Sequence, residues 1–338
     1  MTTIPASLTD ARSEPIYRRI KVVRLRDLAL LPALALLLVV GGFLSPSFLT
    51  YANFVSVLGA SAALAILVLA ESLIILTGNF DLSLESICGI APAIGAMLVL
   101  PASSQGFGLE LPTWICLAIV PLIGAAIGLL NGFMVVKLRL NAFIVTLAML
   151  IVLRGALVGA TKGGTLFDMP DAFFWLATAT ILGLPISVWV AGVAFIIAGI
   201  MLKYHRLGRS LYAIGGNPAA AKAAGIPVER ITFGVFVLGG MLAACAGLIL
   251  TGYVGAINAN QGNGMIFTVF AAAVIGGISL DGGRGTMFGA LTGVILLGVV
   301  QNVLTLAQVP SFWIQAIYGL IILGSLMVSR LTSSDQNQ

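Results

Sequence analysis

The sequence predicts an all-α, polytopic membrane protein with about ten transmembrane helices, and three observations carry that prediction. Of its 338 residues, 59% are hydrophobic and only 9% are charged, against about a quarter charged in a soluble domain. The apolar residues form continuous runs, not the alternating ten-residue segments of a membrane barrel. Glycine is abundant, at 40 residues, which suits helices that approach closely within lipid. So little polar surface cannot cover a water-facing protein. A soluble enzyme, a disordered chain and a fibrous chain are thereby excluded.

Ten apolar segments follow in order, at 28–44, 53–76, 85–101, 112–136, 142–160, 176–202, 230–253, 265–280, 285–304 and 312–329. Several exceed the roughly 20 residues a helix needs to cross a bilayer. The shorter ones are read as tilted, broken or partly inserted. Arg12, Arg18, Arg19, Lys21, Arg24 and Arg26 precede the first run, an arrangement resembling a signal peptide. Ser45-Pro46-Ser47-Phe48 follows that run, in place of an A-x-A cleavage pattern. The run is therefore expected to be an uncleaved first span.

Lysine and arginine set the orientation. With an inside N-terminus and alternating spans, the inner segments hold the six N-terminal basics, Lys137, Arg139, Lys203, Arg206, Arg209, Lys222, Arg230, Arg284 and Arg330. Only Arg154 and Lys162 fall elsewhere. An N-in, C-in arrangement with an even number of spans follows. Residues 1–27 are read as a cytoplasmic basic segment, 28–330 as one transmembrane domain, and 331–338 as a cytoplasmic tail. The net charge of +5 belongs to these flanks, so the partner it implies is a lipid bilayer and not nucleic acid.

Few residues could do covalent chemistry. Cys88, Cys116 and Cys245 lie in apolar runs without metal-ligand spacing and read as small buried hydrophobes. A single histidine, His205, excludes a multi-histidine metal centre or a histidine-based nucleophile site within the membrane. No cofactor or metal site is expected. A phosphate-binding loop is absent, because the runs Lys162-Gly163-Gly164 and Gly282-Gly283-Arg284-Gly285 lack its spacing. ATP hydrolysis by this chain is not expected.

The longest polar stretch runs from about 203 to 230 and is too short to bury a core alone. Within it, Asn217 is placed to cap a helix with Pro218 at its first position, Ala219 to Ala224 favour that helix, and Gly225 can end it. A short exposed helix with small side chains offers a surface that a partner can approach closely.

Two charges sit inside apolar runs. Glu71 lies about 8 Å and Arg154 about 18 Å from the inner ends of their spans, at 1.5 Å per residue. A direct pair between them would have to bridge about 10 Å of depth, so each is expected to hold a separate place in the bundle. Intramembrane charge also marks both as candidates for gating or ion coupling. Asp81 and Ser83 are placed to cap the start of the third segment. Gly282, Gly283 and Gly285 permit a tight turn beside Arg284. Residues 77–81 and 277–281 look faintly alike, but an inverted five-plus-five repeat would not relate them.

Four stretches together carry a resemblance. They are Leu76-Thr77-Gly78-Asn79-Phe80-Asp81-Leu82-Ser83; Leu130-Asn131-Gly132 with Phe143 to Leu147 and Arg154-Gly155; the loop Gly208 to Gly225; and Gly276 to Thr286 with Gly289, Gly293 and Pro310 to Trp313. In this order they closely resemble the permease subunits of bacterial ABC importers for ribose and other simple sugars, the ribose/xylose/galactose-type branch, over about residues 28–330. That resemblance implies an ABC importer permease fold in a bacterial inner membrane and solute passage by alternating access. It implies four partners: a cytoplasmic ATP-binding subunit, a periplasmic sugar-binding protein, a second permease copy or a sister permease, and the lipid bilayer.

The loop around Ala219 to Gly225 would be the coupling helix, with Gly208, Arg209, Asn217, Ala219, Ala223 and Gly225 as its contact residues. A sugar path needs amides and hydroxyls that exchange hydrogen bonds cheaply. Asn131, Thr146, Asn258, Asn260, Gln261 and Asn302 fit that chemistry, as do Gln301 and Gln315. The chain departs from the branch's usual run at Asn79, Phe80, Leu84 and Glu85, and again at Met265 to Thr268. Furanone autoinducers and nucleosides use similar permeases, and a proton-coupled carrier acting through Glu71 is the rival mechanism. An intramembrane enzyme is disfavoured by the lone His205.

Overall fold

The computed structural model describes residues 30–310, 312–314, 316–320 and 323–324. The N-terminal basic residues, the tail from 325 onward with Arg330, and Ser311 and Gln315 lie outside the described residues.

Helix α1 (Leu31–Leu44) leads into α2 (Tyr51–Ile75), whose start is capped by Thr50 accepting from the Asn53 amide at 3.3 Å. Such a cap contributes about 1 kcal/mol. Helix α2 is the axis of the bundle: 89% of its apolar window is buried. Helices α3 (Leu84–Val99) and α4 (Thr113–Gly132) follow, the latter running into a π-turn at Phe133–Lys137. Helix α5 (Ala142–Thr161) is capped by Asn141. Only 22% of its apolar window is buried, so Ile144, Ile151 and Val152 face outward as lipid-facing side chains do.

The sixth apolar segment is not one helix. It divides into a four-residue helix α6 (Trp175–Thr178), a tight hairpin of β2 (Thr180–Ile181) with β3 (Leu184–Pro185), and helix α7 (Ile186–Tyr204). Leu182 (φ 52°) and Gly183 (φ 78°) reverse the chain there, and Pro185 stands before the new helix. A second strand pair joins β1 (Thr165–Leu166) to β4 (Ile257–Asn258), antiparallel, with Thr165 opposite Asn258.

The polar stretch after α7 holds two helices, where one was expected. Helix α8 (Arg206–Gly216) is capped by His205 Nδ1, which accepts from the Leu207 amide at 3.2 Å. Leu211 and Ile214 are buried on one face of α8. The short helix α9 (Pro218–Ala223) follows after Asn217 alone. Helix α10 (Val228–Val254), α11 (Met265–Ile275) and α12 (Met287–Leu306) complete the bundle.

Helix α10 packs against α2, α3 and α4; α12 packs against α2, α1 and α11; α5 lies against α3. Glycine makes the α4–α10 crossing close. A methyl group on Gly124 would overlap the Gly240 carbonyl, and one on Gly128 the Phe236 carbonyl. Helices in lipid gain by such close approach, because van der Waals packing replaces the hydrophobic drive that lipid cannot supply.

Six of the described helices are long and apolar enough to cross a membrane: α2, α4 with its π-turn, α5, α7, α10 and α12. Helices α1, α3 and α11 are apolar but shorter. The molecule is a helical, polytopic membrane bundle. Cys88 and Cys116 are buried and Cys245 is half-buried, all three as free thiols.

Candidate translocation and coupling site

After α2 the chain does not leave the bundle. It turns at Gly78 (φ 77°) and runs back along α2 before α3 begins at Leu84. This reversal brings Asp81 beside Glu71. The Asp81 amide donates to Glu71 Oε1 at 3.2 Å, and both residues are fully buried. Asp81 Oδ1 accepts from the Ser83 amide at 2.9 Å and from Ser83 Oγ at 2.6 Å. Asn131 of α4 donates through Nδ2 to Ser83 Oγ at 2.8 Å and to Asp81 Oδ2 at 3.3 Å. Ser83 therefore does not cap α3 with its side chain, as the sequence had led us to expect. Its hydroxyl is committed to Asp81, which organises the turn instead. Glu71 Oε2 and Asn131 Oδ1 have no protein partner.

A second polar group lies just beyond. Arg154 of α5 does not meet Glu71. Its Nη2 pairs with Glu85 Oε1 at 3.5 Å, and its Nη1 donates to the Gln261 carbonyl at 2.8 Å. Glu85 Oε2 accepts the Ile266 amide at 3.1 Å, at the start of α11. Gln261 Nε2 donates to the Cys88 carbonyl at 3.1 Å and to Thr251 Oγ1 at 3.1 Å. One ion pair thus ties α3, α5, α10 and the entry to α11. Buried charges persist only when paired and hydrogen-bonded; Glu85 meets both conditions, and Arg154 is paired through Nη1 and Nη2 while its Nε has no protein partner.

Thr146 of α5 donates to the Ala142 carbonyl at 2.8 Å, and its hydroxyl lies 3.5 Å from the Phe80 carbonyl. Phe80 is half-buried, tilted against Phe270 with ring centroids 5.8 Å apart. Beside it opens a cavity of about 600 Å³ bounded by Gly78, Asn79, Phe80, Arg139, Asn141 and Phe143. Its polar and apolar lining, at the end of the bundle where α4 turns into α5, suits a hydrated vestibule.

The remaining sequence candidates separate. Asn258 accepts the Asn260 amide at 2.9 Å, in the loop that pairs with β1, and Asn260 is exposed. Asn302 exchanges reciprocal 2.9 Å amide bonds with Asn53, joining α12 to α2. Gln301 Oε1 accepts from Tyr318 at 3.3 Å. Asn131 and Thr146 alone among the candidates reach the turn 80–83. In the polar segment after α7, Gly208 packs on Leu202 and Met201, while Arg209 donates to the Tyr204 carbonyl at 3.4 Å. Asn217 Oδ1 accepts the Ala220 amide at 3.0 Å, and Gly225 takes φ 79° at the end of the α9 turn. Ala219, Ala223 and Gly225 are exposed.

Glu85 was not a site candidate from sequence. It was visible only as a departure from a pattern, in a position that reads as the first turn of a helix. Its partner Arg154 lies 69 positions away in the sequence, and nothing local links the two.

A helical membrane bundle with buried polar clusters, a polar-walled cavity and an exposed helical elbow has the parts of a solute permease. The family described as "Branched-chain amino acid transport system / permease component" matches residues 53–328, and the chain belongs to it. Among its relatives, the ribose import permease protein RbsC of Escherichia coli (strain K12) is 36% identical over 300 residues, covering 88% of this chain and 91% of that protein. The autoinducer 2 import system permease protein LsrC of Klebsiella pneumoniae is 34% identical over 304 residues, covering 90% and 86%. The L-arabinose ABC transporter permease protein AraH of Azospirillum brasilense is 33% identical over 278 residues, covering 82% and 80%. The likeness seen in the sequence motifs thus extends along most of the chain.

Proposed function

We propose that this chain is the transmembrane permease subunit of an ATP-driven importer of a monosaccharide or related small polyol, in a bacterial inner membrane. The observation that carries the reading is the elbow α8–α9. It is a short, exposed, small-residue helix held one residue away from a helix that packs on the bundle. Gly208, Arg209, Asn217, Ala219, Ala223 and Gly225 lie on this elbow as contacts for a cytoplasmic ATP-binding subunit. Closure of the ATPase pair would tilt the elbow and the spans tied to it, a rigid-body route to alternating access.

A periplasmic sugar-binding protein delivers solute on the outer side, and a second permease copy or sister permease completes the pathway. About ten spans, with both termini inside, fit the basic residues. The vestibule walls offer the amides of Asn79 and Asn141 and the donors of the Arg139 guanidinium, hydrogen-bonding groups that suit a hydroxylated solute. Likeness to an autoinducer 2 permease supports a second reading in which the solute is a furanone.

Reconstitution into liposomes with the ATP-binding subunit and the binding protein tests the reading. ATP-dependent uptake of labelled pentose is expected, with labelled furanone as the second arm. Uptake driven by a pH gradient with both partners absent would instead make the chain a secondary carrier. Replacing Ala223 and Gly225 with glutamate should abolish co-purification of the ATPase while leaving the permease in the membrane. Cysteine labelling of residues 203–230 should succeed only from the cytoplasmic side.

A further inference from the structure

Three turns meet at one point beneath the bundle, and they meet through backbone alone. The Gly283 amide donates to the Leu76 carbonyl at 3.0 Å. A methyl on Gly215, near the end of α8, would overlap both that carbonyl and that amide. A methyl on Gly282 would lie 2.8 Å from the Gly78 amide nitrogen, and one on Gly283 would lie 2.6 Å from the Gly216 nitrogen. Gly78, Gly282 and Gly283 all take positive φ, at 77°, 84° and 66°. Only glycine permits both this conformation and this approach without strain.

We propose that this glycine joint is the mechanical link of the transporter: it passes movement of α8–α9 to the turn 76–80, which carries Phe80 across the inner vestibule. The inference rests on the reading that α9 docks on an ATPase.

Side-chain contacts can absorb a displacement by changing rotamer, whereas two backbones in contact and hydrogen-bonded move together. The upstream arm is stiff. Helix α8 is held by buried Leu211 and Ile214 and by Tyr212, whose hydroxyl donates to the Gly285 carbonyl at 2.8 Å. One residue, Asn217, separates α8 from α9. The downstream arm is short. Beyond the joint lie Thr77, Gly78, Asn79 and Phe80, and then Asp81 is pinned to Glu71, Ser83 and Asn131. Movement entering at Leu76 is therefore confined to the few residues that wall the cavity. Phe80 is half-buried, its ring tilted against Phe270 at the edge of the core, and its backbone carbonyl lies 3.5 Å from the Thr146 hydroxyl. It is the largest side chain in that stretch and the one that reaches from the turn to the core beside the cavity. Gly215 and Gly78 are accordingly positioning residues, and Phe80 is the group that they position.

The test needs no knowledge of the solute. Phe80→Cys is placed in a chain with Cys88, Cys116 and Cys245 replaced by alanine, and the permease is purified with its ATPase. Labelling by a charged maleimide is compared between the nucleotide-free and the vanadate-trapped complex. A clear nucleotide-dependent difference in rate is expected, and adding Gly215→Ala should abolish it while co-purified ATPase and ATP hydrolysis persist. Gly216→Ala, whose methyl meets nothing within 4 Å, should leave the difference intact.

Should Gly215→Ala fail to assemble, Gly78→Ala takes its place. That methyl finds its nearest neighbours at 3.9 Å, so it resists only the φ of 77°, and it should diminish the difference. A wild-type labelling difference in an assembled Gly215→Ala or Gly78→Ala complex would overturn the joint. Failure of the docking reading shows separately, as ATPase that still co-purifies with the glutamate variants of Ala223 and Gly225.

Discussion

Glu71 and Glu85 are both buried acidic side chains within the bundle, 0% and 3% exposed, and they keep opposite company. Glu85 faces a guanidinium and a backbone amide, and through them binds α3 to α5 and to the start of α11. Glu71 faces one backbone amide, and its second oxygen has no protein partner. Among the described residues no lysine or arginine pairs with it. Glu85 therefore acts through charge, while Glu71 acts through the shape of one hydrogen bond. The contrast teaches that an acidic residue inside a membrane protein need not mark ion coupling. One can be a strut whose partner is distant in sequence, the other a clasp that folds a turn back on its own helix.

The largest effect should come from breaking the strut. Glu85→Ala leaves Arg154 buried without a counter-ion, a change that costs about 3–5 kcal/mol. Thermal unfolding of the detergent-solubilised permease, followed by size exclusion, should show the steepest loss in this variant. The double variant Glu85→Met with Arg154→Leu removes both charges and should recover much of that loss. A double variant as unstable as the sum of its singles would mean that the two residues act independently.

Next in size is the clasp's support on α4. Asn131→Ala removes the donor shared by Asp81 and Ser83 in a fully buried setting. The loss of such a buried bond costs about 1–3 kcal/mol. Asn131→Asp keeps the shape but brings a third carboxyl group to Glu71 and Asp81, and it should be worse than alanine in the same assay. Equal stability of the two would remove electrostatics from the account of this cluster.

How much of this was readable beforehand depends on the range over which each signal acts. Asn217, Pro218 and Gly225 announced α9, because a cap, a first-turn proline and a left-handed terminator are local to the helix they bound. The amphipathic α8 was missed. Its glycines, Gly208, Gly215 and Gly216, read as loop residues, and the close backbone neighbours that Gly208 and Gly215 meet are unseen in a sequence. The apolar runs located most spans, since hydropathy is a property of the segment alone. The run 176–202 misled for a related reason: a hairpin of Thr180 to Pro185 is nearly as apolar as a helix, and only Gly183 and Pro185 break it. The faint likeness between 77–81 and 277–281 gave no topology, yet the turns that end these stretches meet at Leu76 and Gly283. The pairings Glu85–Arg154 and Asp81–Asn131 each join residues more than forty positions apart. A single sequence carries no signal for such contacts.

The smallest effect is expected at Glu71, and it sharpens the comparison most. Glu71→Gln keeps an acceptor oxygen for the Asp81 amide and places a neutral group where the second carboxyl oxygen has no partner. With shape preserved and an amide in place of the carboxyl group beside Asp81, the change in stability should stay within about 1 kcal/mol. Two assays then decide what the residue does. Unfolding as early as that of Glu85→Ala would show that the carboxyl group of Glu71 does more than offer one acceptor oxygen. In liposomes with the ATP-binding subunit and the binding protein, ATP-driven uptake should continue in Glu71→Gln. A carrier that moved protons on this carboxyl group would stop, because glutamine cannot titrate. Continued uptake places the energy source outside the chain, at the elbow, and leaves Glu71 the task of holding the turn that carries Phe80.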